Sequence, residues 1–237
     1  MYKEFVKSIK ELCFPPKCSC CSIPLEDSSL GLCTQCLDSI EISSHPICSV
    51  CGRPFISKSH LDHICGECIL KPPLYSIRRS PFIYKGAIKQ LIISFKYFYD
   101  FRAFSVLIEL FNSINFDLEV LASDIVVPVP LHIKRLRERG FNQAYLIAKR
   151  IFHNKKVDFK VLIRTIDTPH QMGLKRSLRL KNVKDAFKVI EQKKIKDKVV
   201  LVVDDVITTG ATITECSKEL LRAGAKEVKI FGFSQAI

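Results

Sequence analysis

The run Val199-Val200-Leu201-Val202-Val203-Asp204-Asp205-Val206-Ile207-Thr208-Thr209-Gly210-Ala211-Thr212-Ile213 decides the fold. Val199–Val203 is apolar at every position, which predicts a strand buried on both faces, as the centre of a parallel sheet requires. Ile213–Ala223 follows as a helix and stops at Gly224, a C-terminal cap. Between them stand two carboxylates and a turn rich in Thr and Gly. In open parallel sheets, ligands bind beyond the carboxyl ends of the strands. Asp204 and Asp205 sit at that edge, placed to hold ribose hydroxyls directly or through Mg²⁺. Thr208, Thr209, Gly210, Ala211 and Thr212 lead into a helix N-terminus, whose N–H groups and dipole attract a phosphate. Gly210 admits close approach of the backbone, and the Thr hydroxyls add hydrogen bonds. A capped helix beside solvent-facing carboxylates accounts for either feature alone. Apolar strand, paired Asp and Thr-Thr-Gly together point to a phosphosugar site.

Outward from this run the pattern alternates. Val228–Phe233 reads as a final strand. Ile125–Val129 reads as a short buried strand, followed by a helix over Phe141–Phe152 with Ala144, Ala148 and Ile151 inward. Val157–Ile163 is another expected strand. Ile88, Leu91, Ile92 and Phe95 mark one helix face, and Phe104, Leu107, Ile108 and Phe111 a second. Residues 165–190 are polar, basic and weakly periodic, which predicts a long mobile loop. Strand–helix alternation argues an α/β fold with a parallel sheet.

The first third has another texture. Phe5, Ile9 and Leu12 predict a short amphipathic helix over Tyr2–Cys13, ended by Pro15 and Pro16. Beyond it come four CxxC pairs: Cys18/Cys21, Cys33/Cys36, Cys48/Cys51 and Cys65/Cys68. A CxxC turn presents two thiolates to one ion, and two such turns complete a tetrahedral zinc site. Successive pairs closing two sites would make a double zinc ribbon; crossed pairing satisfies the spacing equally. Disulfides are disfavoured in a reduced cytoplasm, and a redox CxxC needs one pair at a strand–helix junction. His45, His60 and His63 are alternative ligands, though lone histidines near cysteines are commonly surface residues. A four-thiolate site leaves no open position, so the zinc is expected to be structural. Lys71-Pro72-Pro73 reads as a linker. The expected organisation is a helix plus zinc-ribbon domain over 1–74 and an α/β domain over 75–237.

The charge is as lopsided as the cysteines. The chain of 237 residues has a formal charge of +13. Residues 1–75 carry 7 Lys+Arg and 8 Asp+Glu, whereas residues 127–190 carry 16 and 4. Such a field suits an anionic partner. No apolar run reaches the roughly 18–20 residues of a membrane span, and Met1–Lys17 lacks the apolar core of a signal peptide. The expected location is the cytoplasm, without membrane insertion.

Several segments together resemble the ComF competence family of type I phosphoribosyltransferase-like proteins. They are the Asp-Asp-to-Thr run, Val127–His132, Lys134–Ala144, Arg179–Phe187, the CxxC pairs, and Tyr84, Gly86, Lys96 and Tyr97. The resemblance implies a phosphoribosyltransferase-like α/β domain preceded by a zinc ribbon. It implies that Asp204 and Asp205 face a ribose and that residues 208–212 hold its 5′-phosphate. Lys134 and Arg135, after strand Ile125–Val129, would belong to a diphosphate loop. Gln171 and residues 174–182, with Arg179 and Lys181, would form a loop that closes over the site. Lys175 departs from the family there, which more often has Ser.

Two functions are compatible with this reading. One is a Mg²⁺-dependent phosphoribosyltransferase acting on phosphoribosyl diphosphate, or a nucleotide, with an unassigned acceptor. The other is a single-stranded-DNA-handling protein on the same fold, serving natural transformation beside other competence proteins. In that case cations would track the backbone, with Phe141, Tyr145 and Phe187 as candidate stacking rings. Few residues follow Phe233, so any hood over an acceptor is expected from residues 75–124 or the zinc domain.

Overall fold

The computed structural model describes residues 16–25, 30–55, 61–167 and 183–237. In chain order the elements are α1 (Thr34–Asp38), α2 (Gly66–Leu70), β1 (Ile77–Arg79), β2 (Phe82–Ile83), α3 (Gly86–Phe98), α4 (Phe101–Ser113) and β3 (Ile125–Pro128). They continue with α5 (Ile133–Arg139), α6 (Gln143–Ile151), β4 (Leu162–Arg164), β5 (Phe187–Val189), β6 (Val199–Ile207), α7 (Ala211–Arg222) and β7 (Glu227–Gln235). They fall into two compact units, each built from two separated stretches of chain. The expected Tyr2–Cys13 helix lies outside the described residues.

The first unit takes the chain up to Glu41 together with Lys85–Asn115. Helices α3 and α4 pack on each other. Each buries most of the face its periodicity announced: Ala87, Ile88, Leu91, Ile92 and Phe95 on α3, and Ala103, Val106, Leu107, Ile108, Leu110 and Phe111 on α4, where Phe104 is only half-buried. Asp100 opens α4 by accepting the Arg102 and Ala103 N–H groups, at 2.9 and 3.3 Å. Ser39, just past α1, accepts the Ala87 N–H on its hydroxyl at 3.0 Å. The chain passes so close there that a Cβ on Gly86 (φ +49°) would lie 2.2 Å from the Ser39 carbonyl oxygen. Only glycine fits.

The second unit takes Ile42–Tyr84 and Phe116–Ile237. Its sheet is parallel, in the order β1-β7-β6-β3, with β2 pairing the far end of β7. The quoted strand does sit centrally: Val200–Val203 are fully buried, paired with β3 on one side and β7 on the other. On one face Val200 and Val202 join Ile125, Val127, Ile213, Cys216 and Leu220 in the main core. Elsewhere in the unit aromatic rings meet, with Phe116 and Phe152 edge-on to Phe231 at 5.9 and 5.3 Å, and Phe82 against Phe233 at 5.3 Å.

Three local expectations change. Strand β6 runs four residues past Val203, through both Asp residues to Ile207. The strand expected over Val157–Ile163 is reduced to one parallel bridge, Val157 to Val126. Asp158 then accepts the Lys160 N–H at 3.0 Å, turning the chain before β4 begins at Leu162. Finally, residues 165–190 contain β5, which pairs antiparallel with β4 as a separate two-stranded sheet.

Candidate functional site

Strands β3 and β6 are adjacent and parallel, with Pro128 level with Val203, so the segments that follow them leave the same sheet edge. The segment after β6 is the Thr-Thr-Gly turn. Gly210 is the residue preceding α7, at φ +76°, and no side chain caps this helix in the usual way. Thr209 accepts the Ala211 N–H on its hydroxyl at a long 3.4 Å. The first turn of a 12-residue helix thus offers its N–H groups and positive dipole end at the rim. Asp204, half-buried, and Asp205, buried, stand in the last part of β6 ahead of this turn. Neighbours in an extended strand alternate in direction, so the two carboxylates are not equivalent. Asp204 Oδ1 accepts the Asp205 N–H at 2.9 Å, and Asp205 Oδ1 accepts the Val206 N–H at 2.8 Å.

The segment after β3, where the resemblance implies a diphosphate loop, contains a short helix. Ile133–Arg139 is helical, started by His132, whose ring accepts the Lys134 N–H, and ended by Gly140 at φ +73°. Lys134 and Arg135 occupy its first turn. Lys134 is exposed, while Arg135 is largely covered. Asn142 braces the end of β3 by donating to the Val129 carbonyl at 3.0 Å.

Sequence reasoning missed two residues here, Arg164 and Asp167. A bridge between His132 and Arg164 brings the end of β4 alongside the β3 segment. Asp167 then faces three basic groups: His132 at 3.6 Å, Lys134 at 3.9 Å and Arg135 at 3.6 Å. Arg164 stacks its guanidinium over Phe187 at 5.6 Å. Burial and the Arg135 charge push its pKa down, while Cys216, Asp204 and Asp167 pull it back up. Burial, and then the Asp204 charge, hold the Cys216 thiol well above its ordinary range, so it stays protonated. No motif marks Arg164 or Asp167; the signal available was that both fall in the most basic stretch, at the edge of an expected strand.

Gln171, Lys175, Arg179 and Lys181, expected in the closing loop, lie outside the described residues. Two of the three candidate stacking rings are engaged in packing. Phe187 is 3% exposed in β5, and Tyr145 meets Phe159 edge-on at 5.3 Å. Phe141 is half-buried.

The cysteines group as successive pairs: Cys18, Cys21, Cys33 and Cys36 in one quartet, Cys48, Cys51, Cys65 and Cys68 in the other. Within each, all four sulfurs lie within 4.8 Å of one another. Zn–S bonds of ~2.3 Å at tetrahedral angles require S–S separations near ~3.8 Å. Cys21–Cys33 at 3.6 Å and Cys51–Cys65 at 3.8 Å meet that. Among the described residues no histidine belongs to either quartet, and His60 lies outside them. The leading cysteine of each is prepared as a thiolate. Burial pushes Cys48 up, but N–H groups of Cys51, Cys65 and Val50 outweigh it and bring it to about 6; Cys18 reaches about 6 in the same way.

The second quartet is tied to the sheet of its own unit. Arg78, on β1 and 9% exposed, donates from Nε to the Cys51 carbonyl at 2.6 Å and from Nη2 to Gln235 Oε1 at 3.2 Å. Gln235, on β7, donates to the Gly52 carbonyl at 2.8 Å and to Ser43 Oγ at 3.0 Å. The Arg78 N–H donates to the Val50 carbonyl at 2.8 Å. The structural zinc sites therefore stand on different footings: the first quartet has Cys21 exposed, whereas all four residues of the second are buried.

Among the described residues, no helix is long and apolar enough to cross a membrane. Comparison with known proteins adds the following. The chain matches the double zinc ribbon domain over residues 9–69 and the phosphoribosyl transferase domain over residues 137–233. It is 31% identical over 231 residues to the DNA utilization protein YhgH of Escherichia coli (strain K12), covering 93% of this chain and 97% of that protein. It is 29% identical over 229 residues to Competence protein F of Haemophilus influenzae, with the same 93% and 97% coverage. Competence protein ComFC of Bacillus subtilis (strain 168) is 26% identical over 199 residues, covering 81% of this chain and 79% of that one.

Proposed function

The chain belongs to the ComF family of competence proteins, and from that premise we propose that it binds phosphoribosyl diphosphate with Mg²⁺ and serves DNA uptake in natural transformation. The observation that carries the phosphosugar reading is the N-terminus of α7 behind Gly210, without a conventional side-chain cap, at the carboxyl-end rim of the sheet.

In this reading the α7 N–H groups and the hydroxyls of Thr208, Thr209 and Thr212 hold the 5′-phosphate. The two carboxylates have different tasks. Asp204 faces the ribose hydroxyls or the ion, and Asp205 fixes the backbone entering the turn. A half-buried carboxylate near the carboxyl end of a central strand is a hard-oxygen donor of the kind Mg²⁺ prefers, with substrate oxygens completing its shell. Lys134 and Arg135 take the diphosphate, displacing Asp167 from their company. Breaking the bond at the anomeric carbon builds negative charge on the departing diphosphate and positive charge on the ribose. The cations stabilise the first and Asp204 tolerates the second. Bound Mg²⁺ would add charge neutralisation at the leaving group. The reaction class is phosphoribosyl transfer, and the acceptor is unassigned.

Isothermal titration of zinc-loaded protein with phosphoribosyl diphosphate tests this. Binding should require Mg²⁺ and be lost in Asp204→Asn. Folded protein that takes up no ligand with Mg²⁺ present would sink the proposal.

A further inference from the structure

In the second unit, residues 149–160 carry Lys149, Arg150, Lys155, Lys156 and Lys160 against one acid, Asp158. Lys149, Arg150, Lys156 and Lys160 are exposed, and Lys155 donates to the Ser123 carbonyl at 3.2 Å. Lys149 and Arg150 close α6, where a cation complements the helix dipole. Lys156 and Lys160 lie beyond that helix, where the dipole gives no reason for them. Asp158 accepts from Lys194 Nζ at 2.8 Å and from the Lys160 N–H at 3.0 Å, so its carboxylate is committed within the fold. Between the two lysines stands Phe159, 53% exposed, the one exposed aromatic side chain among the described residues of this unit. A lone exposed ring is ordinary; this one is held in place and surrounded by charge. Tyr145, on α6, meets it edge-on at 5.3 Å. Lys160 Nζ stands 6.0 Å from its centroid. The turn that carries it is fixed at both ends, by the bridge from Val157 to Val126 in β3 and by β4 from Leu162. Lys149 lies one helical turn along from Tyr145, on the same face of α6.

We propose that Phe159, backed by Tyr145, is a base-stacking platform for single-stranded DNA, with Lys149, Arg150, Lys156 and Lys160 taking the phosphates around it. A fixed ring set among cations matches the alternation of bases and phosphates along a single strand. The cations alone would suit any anionic polymer or an acidic membrane; the presented ring favours a polymer that carries bases. The choice of DNA as occupant rests on the DNA-uptake reading above; the phosphosugar site is not involved.

The chain has no Trp, so Phe159→Trp installs a sole indole in the platform. The probes are a labelled 30-mer of thymidine, an abasic 30-mer of equal charge and phosphatidylglycerol vesicles. Binding of the thymidine 30-mer should quench the indole emission, and the abasic strand should not. Phe159→Leu, which keeps the apolar bulk and removes the ring, should weaken thymidine 30-mer binding by at least about fivefold, the lower end of what one stacked base contributes. Phe159→Tyr should bind as the unaltered protein does. Both should leave abasic binding and phosphoribosyl diphosphate titration unchanged. Lys156→Gln combined with Lys160→Gln should weaken both strands alike and flatten the slope of log affinity against log salt by about 1.4, the release expected for two phosphates of a single strand. Unquenched indole, equal affinity of Phe159→Leu for the thymidine strand, or an indole that answers to the vesicles and not to the strand overturns the platform while the DNA reading stands. Failure of the unaltered protein to bind either strand at low salt overturns both. Should Phe159→Leu fail to fold, the quenching experiment decides alone.

Discussion

Gly52→Ala tests the attachment of the second cysteine quartet to the sheet. Gly52 has φ +64°, and a Cβ there would lie 2.6 Å from the Arg78 carbonyl oxygen. A side chain in the left-handed region costs about 1–2 kcal/mol. Opening 2.6 Å to an ordinary 3.4 Å contact requires a shift of about 0.8 Å. Neither partner can give easily. Arg78 is held in β1 against β7, and the Cys48–Gly52 turn is tied back by the Arg78 and Gln235 side chains. Losing one or two of these hydrogen bonds adds about 1 kcal/mol each. The expected total is about 2–4 kcal/mol. Gly66→Ala is the matched control. It sits beside the same quartet, in α2, and its Cβ would meet nothing within 4 Å. That change should be neutral or stabilising by up to about 1 kcal/mol. Urea unfolding of zinc-loaded protein, followed by circular dichroism, reads both. Equal midpoints for the two variants would refute the attachment of knuckle to sheet.

Other outcomes follow from single contacts. Asp167→Asn removes the carboxylate facing His132, Lys134 and Arg135, so inorganic diphosphate should bind about two- to fivefold more tightly by titration calorimetry. Burial pushes the Asp158 carboxyl up, but the Lys194 ammonium and the Lys160 N–H outweigh it and hold it below the usual range. A depressed carboxylate stabilises the fold above its unfolded pKa and ceases to do so as pH falls through the folded one. Asp158→Asn should therefore lower the melting temperature at pH 7, by a difference that shrinks as the pH falls below the ordinary carboxylate range. Cys18→Ser and Cys48→Ser should each lower bound zinc by one ion per chain, measured by elemental analysis. Only the latter should lower the unfolding midpoint of the parallel sheet.

What could be read in advance followed from strong local patterns. The all-apolar Val199–Val203 strand needed burial on two faces, and only a sheet centre supplies that. The periods of α3 and α4 are visible because their buried faces are continuous. Helix α5 was missed because nothing in it is buried; Ile133 and Leu136 are exposed, and the helix is held by its His132 and Gly140 ends. The apolar residues of 157–163 suggested one strand, but the Asp158 turn divides them between a bridge and β4. Phe187 looked like a surface ring because its neighbours are basic, yet β5 turns it inward. Arg164 and Asp167 reach the site through a bridge between residues 32 apart, which no local pattern encodes. The quartets are different: spacing allowed crossed pairing, and the sites close over successive pairs, the grouping nearest in sequence.

The position of β7 has a consequence for how the protein is made. It is paired with β1, some 150 residues earlier, and with β6 on its other side. Until Glu227–Gln235 has left the ribosome, β1 and β6 have no common partner, and both present open edges. The Cys48–Cys68 quartet can load metal long before, but the arms that anchor it, Arg78 and Gln235, meet only when β7 inserts. From the emergence of Cys68 until β7 follows, the nascent chain thus carries a metal-bound knuckle with nowhere to dock. Contacts this distant are slow to form, so a cell starved of zinc or of chaperones should lose this protein to aggregation at the ribosome before it loses any activity of the finished one.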